Sequence, residues 1–121
     1  MRKKFFSCVI IFLLIILCGS AFSYNEELER EALALRVELN RLGSDGDPFE
    51  REAILRKIIK ECRGTEEAER AYWDLADLYL DAFPDERRPE AIGTLELFLK
   101  DYPKSNWAPA VRSRLEEIRS K

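Results

Sequence analysis

From Tyr24 onward the apolar positions recur at helical spacing, and no run of alternating β-branched residues competes with that reading. Over 25–42, Leu28, Ala32, Leu35, Leu39 and Leu42 follow at steps of four, three, four and three. That spacing draws one apolar stripe, with Glu26, Glu29, Arg30, Arg36 and Arg41 mostly outside it, and Gly43-Ser44-Asp45-Gly46 ends the helix. A second helix opens at Asp47-Pro48-Phe49-Glu50, where Asp47 caps, Pro48 suits the first turn and Glu50 is placed to reach back. Its apolar residues are Ala53, Ile54, Leu55, Ile58 and Ile59, and it ends at Glu61-Cys62-Arg63-Gly64.

Thr65 caps a third helix that runs to about Ala82, with Glu66 and Glu67 in its first turn, where the helix dipole favours negative charge. Ala68, Tyr72, Leu75 and Tyr79 form one apolar stripe and Trp73, Ala76 and Leu80 another beside it. A helix apolar over so wide an arc is expected to be sandwiched between others. After the break Phe83-Pro84-Asp85-Glu86-Arg87-Arg88, a fourth helix starts near Pro89 with Ala91, Ile92, Leu95, Leu97, Phe98 and Leu99. A fifth starts near Ser105, tolerates Pro109 in its first turn and continues through Val111, Leu115 and Ile118. The expected class is all-α with about five helices.

The last four helices repeat. Shifted by 40, Glu50 meets Glu90, Leu55 meets Leu95, Ile58 and Ile59 meet Phe98 and Leu99, and Lys60 meets Lys100. Glu61 then meets Asp101, Cys62 meets Tyr102, Thr65 meets Ser105, Ala68 meets Ala108, Ala71 meets Val111, Leu75 meets Leu115 and Leu78 meets Ile118. A helical hairpin cannot bury its apolar face alone, so repeated hairpins are expected to stack and leave a groove lined by the first helix of each pair.

The text FLKDYPKSNWAPA, residues 98–110, resembles the Phe-Leu-x-x-Tyr-Pro-x-Ser-x-x-Ala stretch of bacterial envelope tetratricopeptide proteins of the BamD and YbgF type. Gly64-Thr65-Glu66-Glu67-Ala68, followed by Ala71-Tyr72, Leu75-Ala76 and Tyr79, resembles the corresponding part of the preceding repeat, so the likeness spans about 48–118. Cys62-Arg63 stands where these repeats carry Tyr-Pro. The resemblance implies a short tetratricopeptide-like helical-hairpin solenoid serving as an adaptor or scaffold in the cell envelope.

The first residues, MRKKFFSCVIIFLLIILCGSAFS, have the layout of a secretory signal: basic Arg2, Lys3 and Lys4, an apolar run from Val9 to Leu17, then mostly small residues. The organisation expected is a signal over 1–23, an amphipathic helix and linker over 24–46, and two hairpins over 47–121. Cleavage after Ser23 is preferred, and cleavage after Ala21, lipidation at Cys18 or retention as an anchor are the alternatives; Leu17 stands where a lipoprotein signal has a small residue. The expected location is the periplasm or cell envelope, with a membrane tether if the N-terminus stays.

The chain carries 20 basic and 23 acidic side chains, and without Arg2, Lys3 and Lys4 the balance is 17 against 23, net −6. A mildly acidic chain with no dense basic patch is a poor match for nucleic acid. Cys62 is the only cysteine after the signal, which excludes an internal disulfide there, and its position at a helix end fits a small packed hydrophobe. There is no His, no Gly-rich phosphate loop and no nucleophile elbow. We therefore expect no catalytic residue, no cofactor and no metal, and a protein or peptide partner instead. Candidate partner-binding residues are Arg51, Lys57, Trp73 and Trp107, with Arg87 and Arg88 as further cations; Trp107 is also placed to pack on Tyr102. The alternative is a structural element that oligomerises through the 25–42 helix.

Overall fold

The computed structural model describes residues 26–83 and 87–121. These form five helices and no strand: α1 over 26–42, α2 Pro48–Glu61, α3 Glu66–Ala82, α4 Arg88–Asp101 and α5 Ala108–Ser120. The signal reading of 1–23, Cys18 included, lies outside the described residues. Among the described residues no helix is long and apolar enough to cross a membrane.

The helix starts follow their sequence signals with two differences. Asp47 Oδ1 accepts from the Phe49 amide at 3.0 Å and Thr65 Oγ1 from the Ala68 amide at 3.2 Å, each satisfying one amide that the first turn leaves free. Glu50 makes no return bond, so Asp47 caps alone. α5 begins at Ala108 rather than near Ser105, because Pro109 has no N–H to offer the Ser105 carbonyl. The first helical bond there runs from the Val111 amide to the Trp107 carbonyl at 2.9 Å. Between α2 and α3 the chain reverses through Gly64 at φ +88°, a backbone conformation that a side chain would strain.

α3 is the centre. It packs between α2 and α4, and α5 closes against α4. Neighbours run antiparallel: Tyr79 near the end of α3 bonds Glu52 and Arg56 near the start of α2, while Tyr72 near its start donates to Asp101 at the end of α4 at 2.8 Å. Tyr79 (1% exposed), Phe98 (1%) and Leu95 (0%) anchor one continuous core that takes in Ala32, Leu35 and Leu39 of α1.

The 40-residue shift of the sequence is present in the backbone. α2 and α4 are both 14 residues long and start 40 apart, at Pro48 and Arg88. The turn bonds Cys62 N to Ile58 O and Thr65 N to Cys62 O recur as Tyr102 N to Phe98 O and Ser105 N to Tyr102 O. Buried residues recur as well, Leu55 and Ile58 as Leu95 and Phe98, and Ala68, Ala71, Leu75 and Leu78 as Ala108, Val111, Leu115 and Ile118.

Candidate protein-binding surface

The sequence-selected residues fall on two separate surfaces. Arg51 and Lys57 sit on α2, Lys57 exposed and Arg51 half-buried with its Nε out of solvent and without a partner. Trp73 and Trp107 sit between α3 and α5, both half-buried, their rings edge-to-face with centroids 6.5 Å apart. Trp107 therefore packs on Trp73 and not on Tyr102, whose ring lies against Tyr72 and Phe98 and whose hydroxyl accepts from the Gly64 amide at 3.0 Å. The tryptophans join one hairpin to the next.

Arg87 and Arg88 are equally committed. The Arg87 guanidinium lies 5.2 Å from the Phe83 ring centre and 5.8 Å from that of Tyr79, and pairs with Glu90 at 2.6 Å. Arg88 donates to the Ile118 carbonyl in the last turn of α5, where the helix dipole favours a cation. A cavity of about 350 Å³ lined by Leu80, Arg88, Arg114, Glu117, Ile118 and Lys121 looks basic by residue count. Its charges are matched, however: Arg114 bonds Asp77 at 3.5 Å and Glu117 at 3.3 Å, and Lys121 reaches Glu117 at 3.7 Å.

The side of the molecule carrying α1, α3 and α5 is stitched by ion pairs along α3. Arg36 of α1 donates to Glu67 at 2.8 Å and Asp74 at 2.6 Å, and Arg114 of α5 meets Asp77. Burial works to lower the Arg36 pKa, and its bonds to Asp74 and Glu67 outweigh that and raise it. Asp77 goes the other way for a carboxyl: burial lifts it above the usual range, Arg114 pulls it down, and Asp81 and Asp74 add to the lift. Burial raises the Cys62 thiol, with Glu31 and Glu61 adding to the effect. Cys62 is fully buried, as a packed hydrophobe should be.

The two ends of the row of helices differ: α1 exposes Leu33 (54%) and Val37 (59%), whereas the far side of α5 is polar. The buried Tyr72, Ala76 and Tyr79 of α3 correspond 40 residues later to Arg112, Glu116 and Arg119 on α5, all exposed. Going back 40, Ala71 and Leu78 correspond to Glu31 and Glu38 of α1, also exposed. A polar outer face such as that of α5 is what a stack of hairpins needs where it meets water.

A further surface is the outer face of α2 and α4. The two helices run parallel against α3, linked at one end by Arg87 to Glu52 (4.0 Å) and at the other by Arg63 to Asp101 (3.3 Å). Opposite their buried stripes they present Ala53, Lys57 and Lys60 on α2, and Gly93, Leu97 and Lys100 on α4. Leu97 is 45% exposed, and Phe49, at the start of α2, is 60% exposed while stacked on Phe83 at 5.3 Å. A side chain built at Gly93 meets nothing within 4 Å. Ala53, Gly93 and Leu97 escape a reading based on charge and aromatics; the signal that finds them is the 40-residue shift, which pairs Ala53 with Gly93 as small residues at one outward position. Among the described residues no group of acidic and cysteine side chains could hold a metal ion. In comparisons with known proteins, no family model, no curated protein and no solved structure matches this chain.

Proposed function

We propose that this chain is a non-catalytic protein-binding adaptor or scaffold of the bacterial cell envelope, a short tetratricopeptide-like helical-hairpin solenoid that takes its partner on the face formed by α2 and α4. The observation carrying this reading is the recurrence, at one 40-residue offset, of helix bounds, turn bonds and buried positions. Stacked hairpins of this kind present the first helix of each pair along one face, and repeat modules recognise peptide or helical segments there. The polar surface of α5 speaks against a docking face at that end. Resemblance to envelope repeat proteins and the signal-like start supply the location.

A photo-crosslinking residue placed at Gly93, or at Glu116 on α5 as a control, in the full chain expressed in a Gram-negative host tests the reading. Partner adducts at position 93 and none at 116 in the envelope fraction are the expected result. Adducts at 116 alone, or no adduct at either position, would overturn it. The competing reading, oligomerisation through 25–42, loses its main support because Ala32, Leu35 and Leu39 are buried against the chain's own core. Leu33 and Val37, 54% and 59% exposed, are what that helix still offers a second copy, and light scattering of the purified chain decides whether they hold one.

A further inference from the structure

Resting on the groove reading above, we infer that the partner segment is an acidic peptide that also carries an apolar side chain, bound with its carboxylates toward the ends of α2 and α4. The charge pattern carries this. Many arginines elsewhere are paired internally, Arg36 with Glu67 and Asp74, Arg56 with Glu52, Arg63 with Asp101, Arg114 with Asp77 and Glu117 and Arg119 with Glu96, while the exposed Arg30, Arg41 and Arg112 are spread over α1 and α5. Lys57, Lys60 and Lys100 are exposed and have no ion-pair partner among the described residues, and all three lie on the outward face in its C-terminal half. Lys60 and Lys100 occupy the same repeat position, and Lys57 occupies the position of Leu97.

Carboxylates on this face lie at the other end. Glu50 and Glu90 stand in the first turns of α2 and α4, and Glu90 is neutralised by Arg87. Glu61 sits to the side, beside Glu27 and Glu31 of α1. The groove is thus polarised along its helices, with free lysines at one end, Ala53, Gly93 and Leu97 in the middle, and Phe49 near the acidic end. The middle gives an exposed apolar patch for one side chain of the ligand, and the lysines attract its carboxylates in a chain whose overall charge is −3. Exposed pairs of this sort set orientation and specificity more than affinity.

The test is selection of a random-sequence peptide library on the immobilised full chain, followed by titration of the winners against K57E/K60E/K100E and G93W. The lysines are exposed and Gly93 has open space, so the variants keep the fold, which circular dichroism checks. The expected result is enrichment of peptides with acidic residues beside an aliphatic or aromatic one, binding about tenfold weaker to the charge-reversed variant and weakening with added salt. They should also be lost on G93W. Enriched peptides with no acidic bias, lost on G93W but indifferent to charge reversal, would overturn the acidic-ligand inference and leave the groove standing. No enrichment, or winners that bind G93W unchanged, would overturn the groove and this inference with it.

Discussion

Replacing Arg36 with alanine should release α1 from the module without unfolding the rest. The side chain is 11% exposed and holds two carboxylates, Glu67 at 2.8 Å and Asp74 at 2.6 Å, both on α3. Removing one partner of a buried ion pair costs about 3–5 kcal/mol when the abandoned charge stays buried. Here the abandoned carboxylates are 21% and 32% exposed and rehydrate in part, so about 1.5–3 kcal/mol is expected. Against this, α1 offers the core little: Ala32 and the nearly buried Leu35 and Leu39, the leucines contributing about 1.5–3 kcal/mol each. Part of that gain offsets the ordering of the helix, since most helical stability in proteins comes from packing an amphipathic face. Loss of the arginine is therefore comparable with the whole docking free energy.

Native-state hydrogen exchange resolved by mass spectrometry reads the outcome. Amides over 26–42 should exchange about 10- to 100-fold faster in R36A while those of α3 and α4 keep their protection. In R36M, which fills the space and leaves no cation, α1 should recover part of its protection through packing. Unchanged exchange over 26–42 in R36A would refute the reasoning, as would a uniform loss of protection in every helix.

Three further outcomes follow from the packing and the charges. Leu95→Ala should cost about 2–5 kcal/mol and Leu97→Ala less than about 0.5 kcal/mol in urea unfolding, because Leu95 is 0% exposed and Leu97, two residues on, is 45% exposed; similar costs would mean α4 is turned differently. Cys62 should resist iodoacetamide in the folded chain and react once urea unfolds it, and rapid labelling by intact mass under native conditions would contradict its burial. Asp77, whose carboxyl is raised mainly by burial, stabilises most below its unfolded-state pKa and loses that contribution as pH rises through the folded value. The fall in urea midpoint between about pH 4 and pH 6, measured relative to D77N, should thus be steeper in the native chain, and the opposite sign would refute the assignment.

Much of this fold was legible because period and punctuation agreed. Pro48, Thr65 and Gly64 mark helix ends by chemistry that acts within a few residues, and the wide apolar arc of α3 required neighbours on two sides. Matching at 40 residues located the buried positions of α5 from those of α3. What could not be read were contacts between residues distant in the chain. Trp107 meets Trp73 and not Tyr102 because α3 and α5 lie side by side, which no local pattern reports. Arg36 looked like a solvated charge beside an apolar stripe, yet two acids on α3, 31 and 38 residues away, bury it. For the proposed binding face, charge pointed to Arg51 and Lys57, but only Lys57 faces outward freely; the small outward residues Ala53 and Gly93 carry no chemistry of their own and are matched only by the 40-residue shift.

The most direct test of the central claim, that two hairpins stack in a 40-residue register, is a nuclear Overhauser spectrum of the aromatic protons. Stacking predicts cross-peaks between Trp73 and Trp107, and between Tyr72 and both Phe98 and Tyr102, whose ring centres lie 5.7 and 5.9 Å from that of Tyr72. A folded helical spectrum lacking the Trp73 to Trp107 peak, or with Trp107 against Tyr102 instead, would contradict it.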